Sequence, residues 1–222
     1  MRGWNGSLVA TAIVCGGVGV ATSTVVARIP TPWAPLVSNV LLWIALAGAV
    51  VFGFSRSRPA GLLRFRSTDA LWGIAAGLTL RLLQGATSGA GASAFPTVAT
   101  PDGTVPIDWW STVALRGALV SPLIEEFFFR AVLLVSLFQL LRRAAGAVAA
   151  SAASVLATSG AFLLIHVPFE PLGAVAAFQV FVVGVTCGLL VLLTGRIWSA
   201  VIIHLAYNTS FLALALVGMI LS

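Results

Sequence analysis

An all-α bundle of membrane-spanning helices is the fold this sequence predicts, and three observations predict it. Of 222 residues, 59% are hydrophobic and only 8% charged, where soluble domains carry about 25% charge. The mean hydropathy is +1.08. Apolar runs near the bilayer-crossing length of about 20 residues recur along the whole chain. A water-soluble monomer could not hide that surface, and disordered, collagen-like and disulfide-scaffold classes fall with it.

The runs cover 7–27, 34–54, 68–88, 109–141, 147–166, 172–193 and 198–221. They predict a polytopic bundle of about seven transmembrane helices, or eight, in a single integral-membrane domain over 1–222. The first follows Arg2 and is longer than the apolar core of about 7 to 15 residues in a secretory signal, so it reads as a retained span. The second begins after Ile29-Pro30-Thr31-Pro32, the third after Ser55-Arg56-Ser57-Arg58-Pro59 and the fourth after Pro101-Asp102-Gly103. The fifth starts inside the small-residue run Ala144 to Ser154, which suits close helix packing. Val167-Pro168-Phe169-Glu170-Pro171 and Gly195-Arg196 separate the last two. Trp4, Trp33, Trp109, Trp110 and Trp198 lie near segment ends, as an interfacial belt requires.

All 12 basic residues are arginines, and the net charge is +6. They form neither a stripe nor a patch with interleaved aromatics, which excludes nucleic acid as a partner and leaves membrane lipids. Alternating the breaks between two faces puts Arg2, Arg56, Arg58, Arg64, Arg66, Arg142, Arg143 and Arg196 on one face. The other receives Arg28 with Asp102, Asp108 and Glu170. The positive-inside rule then makes the N-terminus cytoplasmic, in a multi-pass protein of the plasma (cell inner) membrane. Cys15 and Cys187 lie within apolar runs and read as small buried hydrophobes.

Ionisable groups at bilayer depth cost at least about 2.5 kcal/mol each on insertion scales, so each is a functional candidate. Here they are Arg81, Arg116, Glu125, Glu126, Arg130, His166 and His204, with Asn208 beside them. Pro122 fits the first turn of a helix, so the fourth segment is expected in two pieces, both glutamates opening the second. Glu126 and Arg130 stand at i, i+4 in the favourable order and neutralise one another, which leaves Glu125 free for a separate task. His204 and Asn208, also at i, i+4, address one point in the bundle. Arg81 and Arg116 receive no role. Asn208-Thr209-Ser210 matches a glycosylation triplet but lies mid-helix.

A carboxylate and imidazoles around one water suit peptide hydrolysis without a covalent intermediate. The same Glu125, His166 and His204 with an open position would equally hold a catalytic zinc. The zinc-protease pattern His-Glu-x-x-His is absent. Rival readings are a serine peptidase using Ser159, a small polytopic transporter, and a non-catalytic membrane immunity or scaffold protein.

The motifs resemble the CAAX-protease and bacteriocin-processing (CPBP, or Abi) intramembrane peptidases, whose signature is Glu-Glu-x-x-x-Arg, Phe-x-x-x-His and His-x-x-x-Asn on successive segments. This chain has Glu125-Glu126-Phe127-Phe128-Phe129-Arg130, then Phe162 to His166, then His204 to Asn208, all within 109–222. The resemblance implies an intramembrane endopeptidase, glutamic or metallo-type, acting on a membrane-associated protein or peptide, lipid-modified in some family members. It implies that Glu125 activates water, helped by His166, that His204 and Asn208 bind the oxyanion or a metal, and that Glu126, Arg130 and Phe162 are structural. One expectation about depth follows. At about 1.5 Å per residue, His204, Glu125 and His166 meet only if the fourth and fifth helices project beyond the arginine-rich surface.

Overall fold

The computed structural model describes residues 4–92, 95–97, 105, 109–169 and 171–221; Arg2, Asp102, Asp108 and Glu170, which served to orient the chain, lie outside them. Among the described residues every regular element is helical. In chain order these are α1 (Gly6–Ala27), α2 (Ala34–Arg56), α3 (Ser67–Thr87), α4 (Ser121–Glu126), α5 (Val135–His166), α6 (Ala174–Thr194) and α7 (Trp198–Leu221). Wider π-helical stretches, Trp110–Val120 and Phe127–Leu134, flank α4. Five stretches are long and apolar enough to span a membrane: α1, α2, Ala114–His166, α6 and α7. The expected third segment is helical as α3, but Asp69, Arg81 and Gln84 dilute its apolar length. The expected fourth and fifth are joined in the 53-residue stretch.

That stretch doubles back at Gly146, whose φ of 76° and ψ of 170° only glycine adopts readily. The reversal is visible from α6: a Cβ on Gly188 would touch both Leu134 and Val155, which lie on opposite sides of Gly146. A helical hairpin therefore carries Arg142 and Arg143 at its turn and brings α5 back into the bundle.

The expected break at Pro122 is absent. Val120 and Ser121 keep helical angles, and the Ser121 N–H reaches the Arg116 carbonyl, five residues back. A proline ring collides with the carbonyl four residues before it, and the wider π turn accommodates the ring without ending the helix. Both glutamates consequently sit within a continuous helix, where they and Phe128 to Leu134 are buried at the centre of the bundle.

Small residues set the helix spacing. A Cβ on Gly73 would lie 2.5 Å from Ile202 Cβ, and one on Gly77 would lie 2.7 Å from the Ile203 carbonyl oxygen. This Gly-x-x-x-Gly pair lets α3 and α7 approach backbone to backbone. Facing outward, Ile13, Val51, Leu82, Leu193 and Ile220 are each at least 60% exposed, a surface suited to acyl chains.

At the arginine-rich end, aromatic side chains and one ion pair lock the loops. Trp4 is buried, with its indole N–H on the Ser57 carbonyl at 3.0 Å and its ring edge-on to Phe54. Trp109 is buried as well, so these two tryptophans support loops and helix ends, while Trp33 and Trp110 stay exposed. Fully buried Asp69 accepts from the Arg66 N–H at 2.8 Å, closing the first turn of α3, and from Arg196 at 2.8 to 3.0 Å and Ser199 at 3.0 Å. Hydrogen bonding to Asp69 holds the Arg196 guanidinium above its ordinary pKa. Arg196, expected only as a topology signal, thus ties α3 to the start of α7.

Candidate active site

Helix α4 delivers Glu125 and Glu126, α5 ends in His166, and α7 carries His204 and Asn208. Their side chains meet although the residues lie up to 83 positions apart. Glu126 is fully buried, and its two oxygens serve two partners. Oε2 lies 3.2 Å from Arg130 Nε, the i, i+4 pair expected from sequence, while Oε1 accepts from His204 Nδ1 at 3.0 Å. A carboxylate oxygen accepts, so Nδ1 carries the hydrogen of this bond and Nε2 is the nitrogen turned toward Glu125. Nε2 lies 4.0 Å from Glu125 Oε2. Consecutive glutamates on one helix thus address the two nitrogens of one imidazole.

Phe162 fills the space between these groups. Its ring lies edge-on to His166 at 4.8 Å and to His204 at 5.5 Å, and the Arg130 guanidinium sits over it at 4.4 Å. A buried cation with a single carboxylate partner gains from the ring face. His166 Nδ1 donates to the Phe162 carbonyl at 2.8 Å, the ordinary fate of a membrane histidine, and its Nε2 is left as an acceptor. Asn208 donates to the Gly117 carbonyl at 2.7 Å, so one of its two amide hydrogens is already committed to the π-helical stretch.

Two cavities flank these residues. One, of about 210 Å³, is lined by Glu125, Arg116, Ser121 and Trp43. The other, of about 380 Å³, is lined by Arg81, Gln84, Gln179 and Tyr207. His166, His204, Asn208 and Gly117 belong to the walls of both. The hairpin at Gly146 supplies the convergence that helix depth alone would have denied.

Among the described residues no group of three His, Cys, Asp or Glu side chains is placed to hold a metal ion. Ser159 is buried against Gly184 and lines neither cavity, which leaves the serine-peptidase reading without access to water. Sequence reasoning missed three features: the bond from His204 to Glu126, the Asp69–Arg196 pair and the presence of Gln179 in the larger cavity. The first two depend on helices far apart in sequence. Gln179, a lone amide in the apolar α6, was the available signal for the third.

Residues 107–210 match the family model described as type II CAAX prenyl endopeptidase, Rce1-like. No curated protein and no solved structure matches this chain. The matched segment includes Glu125, Glu126, His166, His204 and Asn208, while Trp43, Arg81 and Gln84 of the cavity walls lie outside it.

Proposed function

We propose, from the premise that residues 107–210 of this chain belong to the Rce1-like, or CPBP, family of intramembrane CAAX-type proteases, that the protein hydrolyses a peptide bond by carboxylate-activated water. One observation carries the reading: Glu126 is consumed by Arg130 and His204, whereas Glu125 faces a cavity 4.0 Å from a basic imidazole nitrogen.

In this reading a water in the smaller cavity gives its proton to Glu125 as it attacks the carbonyl carbon of the substrate. His166 Nε2 orients that water by accepting its second hydrogen. Transfer of the proton onward to His204 Nε2 creates an imidazolium, which Glu126 stabilises through Nδ1 as a buried carboxylate does in other hydrolases. The imidazolium and the uncommitted Asn208 N–H then stabilise the oxyanion, and the proton finally passes to the leaving amine. Arg130 pairs with the second oxygen of Glu126, and Phe162 fixes both rings.

The substrate class proposed is a membrane-associated protein or peptide, with a lipid-modified cysteine as the family description suggests. The positive-inside rule supports a cytoplasmic arginine-rich end and N-terminus, in the plasma membrane. The test is cleavage of a prenylated CAAX peptide by purified protein. Glu125→Gln should keep the melting temperature and lose about 10²-fold or more in rate; undiminished cleavage would remove the proposed base.

A further inference from the structure

The larger cavity holds a charge that the hydrolytic step does not use. Arg81, on α3, donates to Ser210 Oγ at 3.3 Å and to the Tyr207 carbonyl, and its guanidinium stacks 4.0 Å from the Tyr207 ring centre. Among the described residues, ion pairs engage Arg130 and Arg196 but none engages Arg81. The Tyr207 carbonyl and ring accommodate the guanidinium, but no carboxylate among the described residues balances its charge, so an anion entering the cavity would find a favourable partner there. Gln179 gives a second and independent pointer. It is 1% exposed, its Nε2 is fixed by Thr87 at 2.7 Å, and its Oε1 has no hydrogen-bond partner although it borders the same cavity. A buried acceptor left open needs a donor. The site therefore asks for a ligand with an anion at one end and an N–H nearby.

We propose that Arg81 binds the free C-terminal carboxylate of the peptide substrate and that Gln179 Oε1 accepts one of its last backbone N–H groups. This assignment rests on the peptidase reading above and adds to it the end of the substrate that is recognised. The α7 positions bracket the spacing. Arg81 contacts Tyr207 and Ser210, three and six residues beyond His204, or roughly 5 to 9 Å along the helix at about 1.5 Å per residue. An extended peptide rises about 3.3 Å per residue, so this span accommodates a short C-terminal stretch of about one to three residues. A volume of about 380 Å³ lies within the usual range of ligand pockets. A lipid phosphate would satisfy Arg81 alone but brings no amide N–H for Gln179.

The test separates binding from cleavage. Glu125→Gln protein in phosphatidylcholine nanodiscs is titrated with a fluorescent prenylated CAAX peptide as the free acid and as the C-terminal amide. The acid should bind about tenfold or more tighter, the worth of a hydrogen bond to a charged group. Adding Arg81→Gln should abolish that preference, and Arg81→Lys should restore part of it. Gln179→Leu should weaken acid and amide alike. Equal binding of acid and amide to the Arg81 protein would overturn the proposal even if the active enzyme cleaves both. Preference lost on replacing zwitterionic phosphatidylcholine with anionic phosphatidylglycerol would also overturn it, by assigning Arg81 to an anionic lipid headgroup. Cleavage by protein with Glu125 intact is read in parallel, so failure of the peptidase reading shows as absent turnover with the binding preference intact.

Discussion

Glu126 Oε1 accepts the Nδ1 hydrogen of His204 at 3.0 Å, joining α4 to α7 across 78 residues of sequence. The bond fixes the tautomer of His204 and with it the role of Nε2. Glu126→Gln retains the shape but removes the charge that Arg130 and a developing imidazolium need. Breaking a buried pair on one side costs about 3–5 kcal/mol. The expected result is a large fall in melting temperature of the detergent-solubilised protein, with cleavage lost in whatever fraction stays folded. Glu125→Gln, by contrast, should melt as the parent does, because Glu125 borders a cavity and, among the described residues, its side chain makes no polar contact closer than the 4.0 Å approach to His204. Equal melting of the two variants would refute this division of labour between adjacent glutamates.

Asn208 offers a milder perturbation of the same centre. One amide hydrogen holds the Gly117 carbonyl and the other faces the cavities. Asn208→Asp keeps the volume, removes both donors and turns an anion toward a carbonyl and the nascent oxyanion. Loss of one oxyanion donor costs about 10²–10³ in rate. The loss should fall on kcat with KM nearly constant, as measured by steady-state hydrolysis of the prenylated peptide.

What could be read from sequence were the groups whose presence in a bilayer demands a reason: Glu125, Glu126, Arg130, His166, His204 and Asn208 stand out because each is costly there. Their pairing was legible only where helix geometry sets it locally, as for Glu126 with Arg130. Which nitrogen of His204 meets which glutamate depends on how α7 packs on α4, and nothing local encodes that. Pro122 misled for a related reason: its preference for a first turn is real, but a π turn absorbs the proline within a helix that tertiary packing keeps continuous. Asp69 drew no reading from sequence, because the partner that gives it a role, Arg196, lies 127 residues away. The break between 141 and 147 was legible in the sequence, and the chain does reverse at Gly146; by length and composition five stretches qualify as spans, α3 falling outside that set because of its polar groups.

The seam between α3 and α7 positions Arg81 against the site, and its closeness can be tested at Gly77. A Cβ there would meet the Ile203 carbonyl oxygen at 2.7 Å and the Ala206 Cβ at 2.8 Å, neither of which is a flexible end that can move aside. Gly77→Val should cost about 1–3 kcal/mol or more through overpacking. It should also disturb cleavage, since Ile203 precedes His204. Gly17→Val on α1, where a Cβ meets nothing within 4 Å, should leave both thermal melting and turnover nearly unchanged.

Gly146 and Gly160 test the hairpin with one substitution made twice. Both glycines lie within Val135–His166, and at both a Cβ would meet open space, so packing predicts the same harmless outcome for alanine. Backbone conformation predicts opposite outcomes. At Gly146 the φ of 76° with ψ of 170° falls in a region essentially reserved for glycine, and alanine there should cost about 1–3 kcal/mol. At Gly160 the helix is regular, and alanine should stabilise by roughly 0.5–1 kcal/mol by restricting the unfolded chain. Thermal unfolding in one detergent should therefore move down for Gly146→Ala and up for Gly160→Ala. The function follows the fold here. Strain at the turn loosens the return of α5, and with it the placement of Phe162 and His166 against His204, so Gly146→Ala should also lower turnover below the temperature at which the protein melts. A parallel rise in stability for both variants would mean that the chain does not reverse at Gly146, and the convergence of α4, α5 and α7 would need another cause.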